Sequence, residues 1–178
     1  MKSRALLVRG HQGVGKTALA EHLSNNYGFC RVSKDEFYDP IIAATGDHKT
    51  SSHLAYIAMQ AVLLSNANTG INFVVDAPFN GPLGSNELSS RLESVGMLTR
   101  NVLLICTDLE TWKHRLSNRE EDTSPSHQLT SLEEIIHFRG TLETHPLPNE
   151  LILDTSSTPI TALASVSADY LLANRGDK

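Results

Sequence analysis

Gly10-His11-Gln12-Gly13-Val14-Gly15-Lys16-Thr17 is the stretch on which the fold of this chain turns. It fits the pattern GxxxxGK[ST] at every fixed position. The chain's own composition would produce such a match only about 0.4% of the time, so a glycine turn that merely links two elements is the weaker reading. The apolar run Ala5–Val8 stands before it, and Thr17–Tyr27, with Leu19, Ala20 and Leu23 at helical spacing, follows. Buried strand, glycine loop, helix is the order that this motif's physics requires. Glycines let successive backbone N–H groups turn toward one anion, and the helix N-terminus adds a partial positive charge. Lys16 is expected to reach the β- and γ-phosphates of a nucleotide and Thr17 to offer its hydroxyl to Mg²⁺. Gly10, Gln12, Gly13, Val14, Gly15, Lys16, Thr17 and Ala18 are therefore the candidate phosphate-binding residues, with His11 and Gln12 contributing backbone rather than side chain.

Outward from this loop, short apolar runs alternate with longer helical stretches. Phe29–Val32, Ile71–Val75, Asn101–Cys106 and Glu150–Leu153 read as further strands. Helices are expected over Ser52–Asn66, Ser85–Val95 (capped by Ser85 or Asn86), Asp108–Arg119 (capped by Asp108), Leu129–Leu142, and from Pro159 to about Ala173. Glu120–Gln128 is polar, carries Pro125 and reads as a mobile loop. Such alternation predicts an α/β fold, a parallel sheet with helices on both faces. With no repeat and no linker in its 178 residues, the chain reads as one domain.

Fifteen Lys and Arg stand against twenty Asp and Glu, a formal net charge of -5. That excludes a general nucleic-acid coat or a polybasic membrane binder. No apolar run approaches a membrane span, and Ala5–Val8 is too short for a signal-peptide core. Cys30 and Cys106 stand far apart, each in an apolar run and expected buried, so a cytoplasmic location is the default. There is no CxxC pair or HExxH spacing for zinc and no GxSxG elbow, nor are there guanine-reading motifs.

Three further constellations carry chemistry. Asp76 ends Asn72-Phe73-Val74-Val75, the Walker B pattern, and is the second candidate Mg²⁺ residue; the rival reading is a strand-end turn cap. Asp35 follows the second strand at the edge where ligands bind in such sheets. There it either accepts a proton from, or orients, an attacking hydroxyl, or it caps the next helix. Arg115 and Arg119 share a helix face running into the polar loop. They suit a lid, over about 113–130, that neutralises a transferring phosphoryl group, or a solvated face paired with Glu120 and Glu121. Lys113 reads as surface.

On Gly10–Thr17, Asp35, Val74-Val75-Asp76-Ala77-Pro78-Phe79, Arg115…Arg119 and Leu153-Asp154-Thr155-Ser156, nearly the whole chain resembles a group of small P-loop metabolite kinases: the shikimate/gluconate kinases, chloramphenicol phosphotransferase and the AAA-type small kinases. The resemblance implies a five-stranded parallel sheet in the order 2-3-1-4-5 and ATP- and Mg²⁺-dependent phosphoryl transfer to a small-molecule hydroxyl. It makes Lys16, Asp35, Arg115 and Arg119 the catalytic set. It also puts Thr155, Pro159 and Arg115 beside the nucleotide, and an acceptor region at about 35–60.

Polynucleotide 5′-hydroxyl kinases of similar build carry an Arg three residues after the catalytic Asp. Here that position is Tyr38, which with the acidic charge makes nucleic acid an unlikely acceptor. Tyr38 and Asn80 are candidate acceptor contacts; His48, Lys49 and His53 read as surface. No Lys or Arg lies between Thr50 and Ser90, so a strongly anionic acceptor is not expected unless Lys49 or Arg91 reaches it. Two other functions fit the same motifs. One is a nucleoside, nucleotide or polynucleotide kinase. The other is a nucleotide-binding regulator with little turnover, which needs neither Asp35 nor the arginines.

Overall fold

β1 (Arg4–Arg9) is buried over five of its six residues and hydrogen-bonds a parallel partner on each side. These partners are β3 (Asn72–Asp76) and β4 (Leu98–Ile105); β2 (Cys30–Ser33) and β5 (Leu151–Asp154) complete a sheet in the order 2-3-1-4-5. All pairings are parallel, the fold class expected from the alternating pattern. The computed structural model describes residues 2–79, 82–119, 124–126 and 129–173.

The two-residue side-chain period of β1 builds two cores. Leu6 and Val8 pack on one face with Leu19 and Leu23 of α1 (Lys16–Tyr27) and Leu163 and Leu171 of the C-terminal helix, Ile160–Leu172. Ala5 and Leu7 pack on the other with Met59 and Leu63 of the helix His48–Ser65 and Leu88 and Leu92 of the helix Pro82–Ser94.

Several element boundaries differ from the sequence expectation, and caps explain most of them. Lys34–Thr45 forms a helix, α2, that the pattern with its internal Pro40 does not announce; Asp35 and Glu36 in its first turn favour that end electrostatically. α3 (His48–Ser65) starts four residues early because the Asp47 carboxylate accepts the Thr50 N–H at 2.9 Å. α4 starts at Pro82, a residue suited to a first turn, so Ser85 is a buried residue inside it rather than its cap. β4 begins at Leu98, where it pairs with Arg4.

α5 (Leu109–Ser117) has the expected Asp108 cap but stops short of Arg119. α6 (Leu132–Arg139) is shorter than expected, bounded by a Ser131/Glu134 capping box and by Gly140. α7 (Ile160–Leu172) follows Pro159, its N-cap. Cys106 is buried as expected. Cys30 is not: it opens the edge strand β2 and is exposed.

β1 hands the chain to the glycine loop under tight constraint. Gly10 has φ +143°, and a Cβ there would lie 2.4 Å from the Leu104 carbonyl oxygen. Backbone strain and this clash together make Gly10→Ala destabilising by about 2 kcal/mol. Thermal melting checks this; an unchanged Tm would mean that the loop is not pinned against β4.

Candidate active site

The parallel strands all point their C-terminal ends at one crevice, where a cavity of about 670 Å³ opens. Gln12, Gly13, Gly15, Lys16, Thr17 and Ala18 form one wall. Gly15 caps α1 in a left-handed conformation with no side-chain cap bond. The first-turn N–H groups of α1 therefore have no side-chain acceptor at the cavity wall, which is what an anion requires. A Cβ on Gly13 would lie 2.7 Å from Leu116 Cδ2, so only glycine lets the loop lie down on α5. The Lys16 ammonium folds back to donate to the His11 carbonyl at 2.8 Å. Burial holds it below the usual lysine range, opposed by the charges of Asp76 and Asp35. These features fit a bound triphosphate.

A cation fits beside it. The Thr17 hydroxyl donates to Asp76 Oδ2 at 2.7 Å, with Asp76 buried at the end of β3 and both residues on the cavity. Among the described residues no cluster of three or more His, Cys, Asp or Glu offers an all-protein metal cage. A hydroxyl and one carboxylate next to phosphates is the kind of partial ligand set that suits Mg²⁺.

At the end of the cavity near β5, Arg115 is locked to the backbone and side chain of one residue. Its guanidinium donates to Thr155 Oγ1 and to the Thr155 carbonyl, each at 2.7 Å. Thr155 Oγ1 also lies 2.9 Å from the Val14 carbonyl, joining this end to the glycine loop. Asp154, just before, is pushed up by burial, but hydrogen bonds from Thr107 and Ser156 outweigh that and bring it down to about 2. Arg115, Thr155, Thr158 and Ile160 line the cavity; Pro159 is not among its lining residues, nor is Val14, whose side chain lies in the core, nor Gly10. Arg119 lines the cavity from beyond the end of α5. Of the expected lid, residues 120–123 and 127–128 lie outside the described residues. Ser126 is described, and its N–H and hydroxyl bond the Asp39 carboxylate at 3.1 and 3.2 Å.

The opposite wall is built by α2 and α3. Asp35 sits in the first turn of α2 and faces the cavity; it does not cap the helix, whose N-cap is Ser33 with no side-chain cap bond. Burial raises its carboxyl above the usual range; Asp76 adds to this while Lys34 and Lys16 oppose it. Tyr38 is buried, with its hydroxyl 2.6 Å from His48 Nδ1, and both line the cavity. Tyr56 lines it as well, its phenol pushed up to about 12 mainly by burial. Asn80 lies outside the described residues.

Sequence reasoning missed Lys34 and Arg139, which both line this cavity, and Trp112. Lys34 directly precedes Asp35 and thus carries a positional signal. Arg139 and Trp112 are brought in only by tertiary packing. The Trp112 ring N–H donates to the Gln12 carbonyl at 2.8 Å. Lys113 is surface, as expected, pairing with Glu110 at 2.8 Å.

The sheet order and this crevice define an α/β P-loop fold, the fold shared by the small kinases on which the chain superposes. A family model described as an AAA domain matches residues 6–141, and the chain belongs to that family. Three solved structures illustrate the likeness. A candidate kinase from Chloroflexus aurantiacus superposes with a TM-score of 0.78 at 18% identity, covering 96% of this chain and 100% of that one. A gluconokinase from Sinorhizobium meliloti gives a TM-score of 0.62 at 14% identity, covering 94% and 91%. The APS kinase of Mycobacterium tuberculosis in complex with AMPPNP and APS gives 0.68 at 18%, covering 97% and 99%. No curated protein matches the chain. Among the described residues, no helix is long and apolar enough to cross a membrane.

The chain's single tryptophan touches the glycine loop, which makes it a built-in reporter. Titration with AMPPNP and Mg²⁺ is expected to give a saturable change in intrinsic fluorescence that Lys16→Ala abolishes. Nucleotide binding seen by calorimetry with no fluorescence change would contradict this placement of the loop against α5.

Proposed function

We propose that the protein is a cytoplasmic, single-domain ATP- and Mg²⁺-dependent phosphotransferase that moves the γ-phosphoryl group to a hydroxyl of a small molecule. The observation that carries this reading is that one cavity has the glycine loop on one wall and Asp35 on the other. A protein that only binds nucleotide has no need of a half-buried carboxylate facing the phosphates. The kinase names of the structural neighbours support the same class.

In this reading the α1 amides and Lys16 hold the β- and γ-phosphates, and Arg115 with Thr155 borders the nucleoside end. Thr17 and Asp76 would hold Mg²⁺, which when bound supplies neutralising charge to the phosphate oxygens. The acceptor hydroxyl gives its proton to Asp35 as its oxygen bonds the γ-phosphorus. The bond from that phosphorus to the β–γ bridging oxygen breaks, and ADP leaves. Arg119, from the lid side, offsets charge on the group in flight. Tyr38 and His48 shape the acceptor wall. Tyr38 is buried and tied to His48 where polynucleotide kinases place an arginine, which favours a small acceptor over a nucleic-acid end.

Labelled ATP offered to a panel of hydroxyl compounds tests the reading; ATP binding with no transfer to any of them would favour the regulator instead. Asp35→Asn should cut transfer by about 10²–10⁴ while AMPPNP binding is largely retained. An equal loss of both would make Asp35 a folding or metal residue. Because burial raises the Asp35 carboxyl and the base must be ionised, kcat should fall on the acid side at a pH above the ordinary carboxylate range. A flat profile down to the ordinary range would contradict its role as base.

A further inference from the structure

Lys34, the first residue of α2, is only 7% exposed, yet its ammonium group makes no ion pair or hydrogen bond among the described residues. Its contacts are aromatic: Nζ lies 4.1 Å from the centroid of the Tyr38 ring and 5.8 Å from that of Tyr56. Lysines this buried are rare without a counter-charge. Asp35 and Asp39 act on it from beyond ion-pair distance, and Asp39 is already engaged by Ser126. Burial, with a smaller contribution from Arg139, holds the Lys34 ammonium below its usual range.

Arg139, at the end of α6, lines the same cavity, and its positive charge acts on both Lys34 and Lys16. Among the described residues, five cationic side chains, Lys16, Lys34, Arg115, Arg119 and Arg139, face this cavity against two carboxylates, Asp35 and Asp76. Lys16 and Arg115 serve the nucleotide end. Lys34 stands with Tyr38, Tyr56 and Asp35 on the acceptor wall.

We propose that Lys34, with Arg139, forms an anion subsite for the acceptor, so that the substrate is a small hydroxyl compound that also carries a phosphate, sulfate or carboxylate group. This rests on the phosphotransferase reading and deepens it. Lys34 grips the anionic group through charge-assisted hydrogen bonds while its chain neighbour Asp35 meets the hydroxyl. Anion and reacting hydroxyl thus lie a few bonds apart. A neutral polyol would leave the buried ammonium uncompensated, and discrimination against it follows from that cost.

The test is calorimetric titration of the protein saturated with AMPPNP and Mg²⁺, so that the phosphate loop is already filled. The probes are inorganic sulfate, glycerol 3-phosphate, glycerate and, as the neutral counterpart, glycerol. The anions are expected to bind at one further equivalent and at least about tenfold tighter than glycerol. Whether glycerol 3-phosphate or glycerate binds tighter distinguishes a phosphate from a carboxylate acceptor. Lys34→Met and Arg139→Met should each weaken the anions by about tenfold or more, and Lys34→Arg should retain most of the affinity.

AMPPNP affinity in the same variants reports that they are folded, and Arg139→Met, which alters no core residue, keeps the test valid should Lys34→Met fail to fold. Anions that do not bind the nucleotide-loaded protein, or that bind Lys34→Met as they bind the unaltered chain, would overturn the subsite. Failure of the unaltered protein to bind AMPPNP would instead overturn the phosphotransferase reading beneath it.

Discussion

The site depends on the position of β1 in the middle of a parallel sheet. Its register sets one row across the strands: Val8 lies opposite Asp76, and Asp76 opposite Ser33. One or two residues beyond that row come Gly10, just after β1, and Lys34 and Asp35, just after β2. On the other side, Ile105 pairs with Asp154, and Thr155 follows. The glycine loop, Asp76, Asp35 and Thr155 thus all lie at the C-terminal edge of the sheet. Parallel pairing makes this possible, because every strand then delivers its next residue to the same edge. The contact of Gly10 with the Leu104 carbonyl ties the loop to that frame, and the Thr17–Asp76 bond closes it.

Charge is organised against the average of the chain. In a protein of net charge -5, the described residues line one cavity with five cations and two carboxylates. A net acidic chain and a cation-rich cavity therefore do not conflict. Backbone N–H groups at the start of α1 add to the field without adding formal charge. Low local polarity also explains the opposed shifts on the two sides of the reacting centre, with Lys16 and Lys34 held down and Asp35 held up, burial being the leading cause of each.

Much of this was legible in the residues taken in order. Gly10–Thr17, the runs that became β1 and β3, and Asp76 at the end of the latter are local signals, and the sheet order was implied by the family resemblance they support. Helix ends were less legible because they depend on single capping bonds, such as Asp47 to Thr50, and on Pro82 acting as a start rather than a break. Cys30 was misjudged because an apolar neighbourhood does not reveal that a strand lies at the sheet edge. The gap in cations from Thr50 to Ser90 suggested a weakly charged acceptor. Arg91 indeed turns away, bonding Gln60 at 2.5 Å. The charges that face the acceptor wall come from Lys34, before the gap, and Arg139, far beyond it. Their meaning lies in packing that no local pattern carries.

In the proposed function, the glycine loop and the end of β3 together form one nucleotide–metal site. Mn²⁺ in place of Mg²⁺, titrated into the AMPPNP complex and followed by electron paramagnetic resonance, tests it most directly. One tightly bound Mn²⁺ per chain is expected, dependent on the nucleotide and weakened about tenfold or more by Asp76→Asn or Thr17→Ala. Binding that is independent of the nucleotide, or unchanged in both variants, would contradict it.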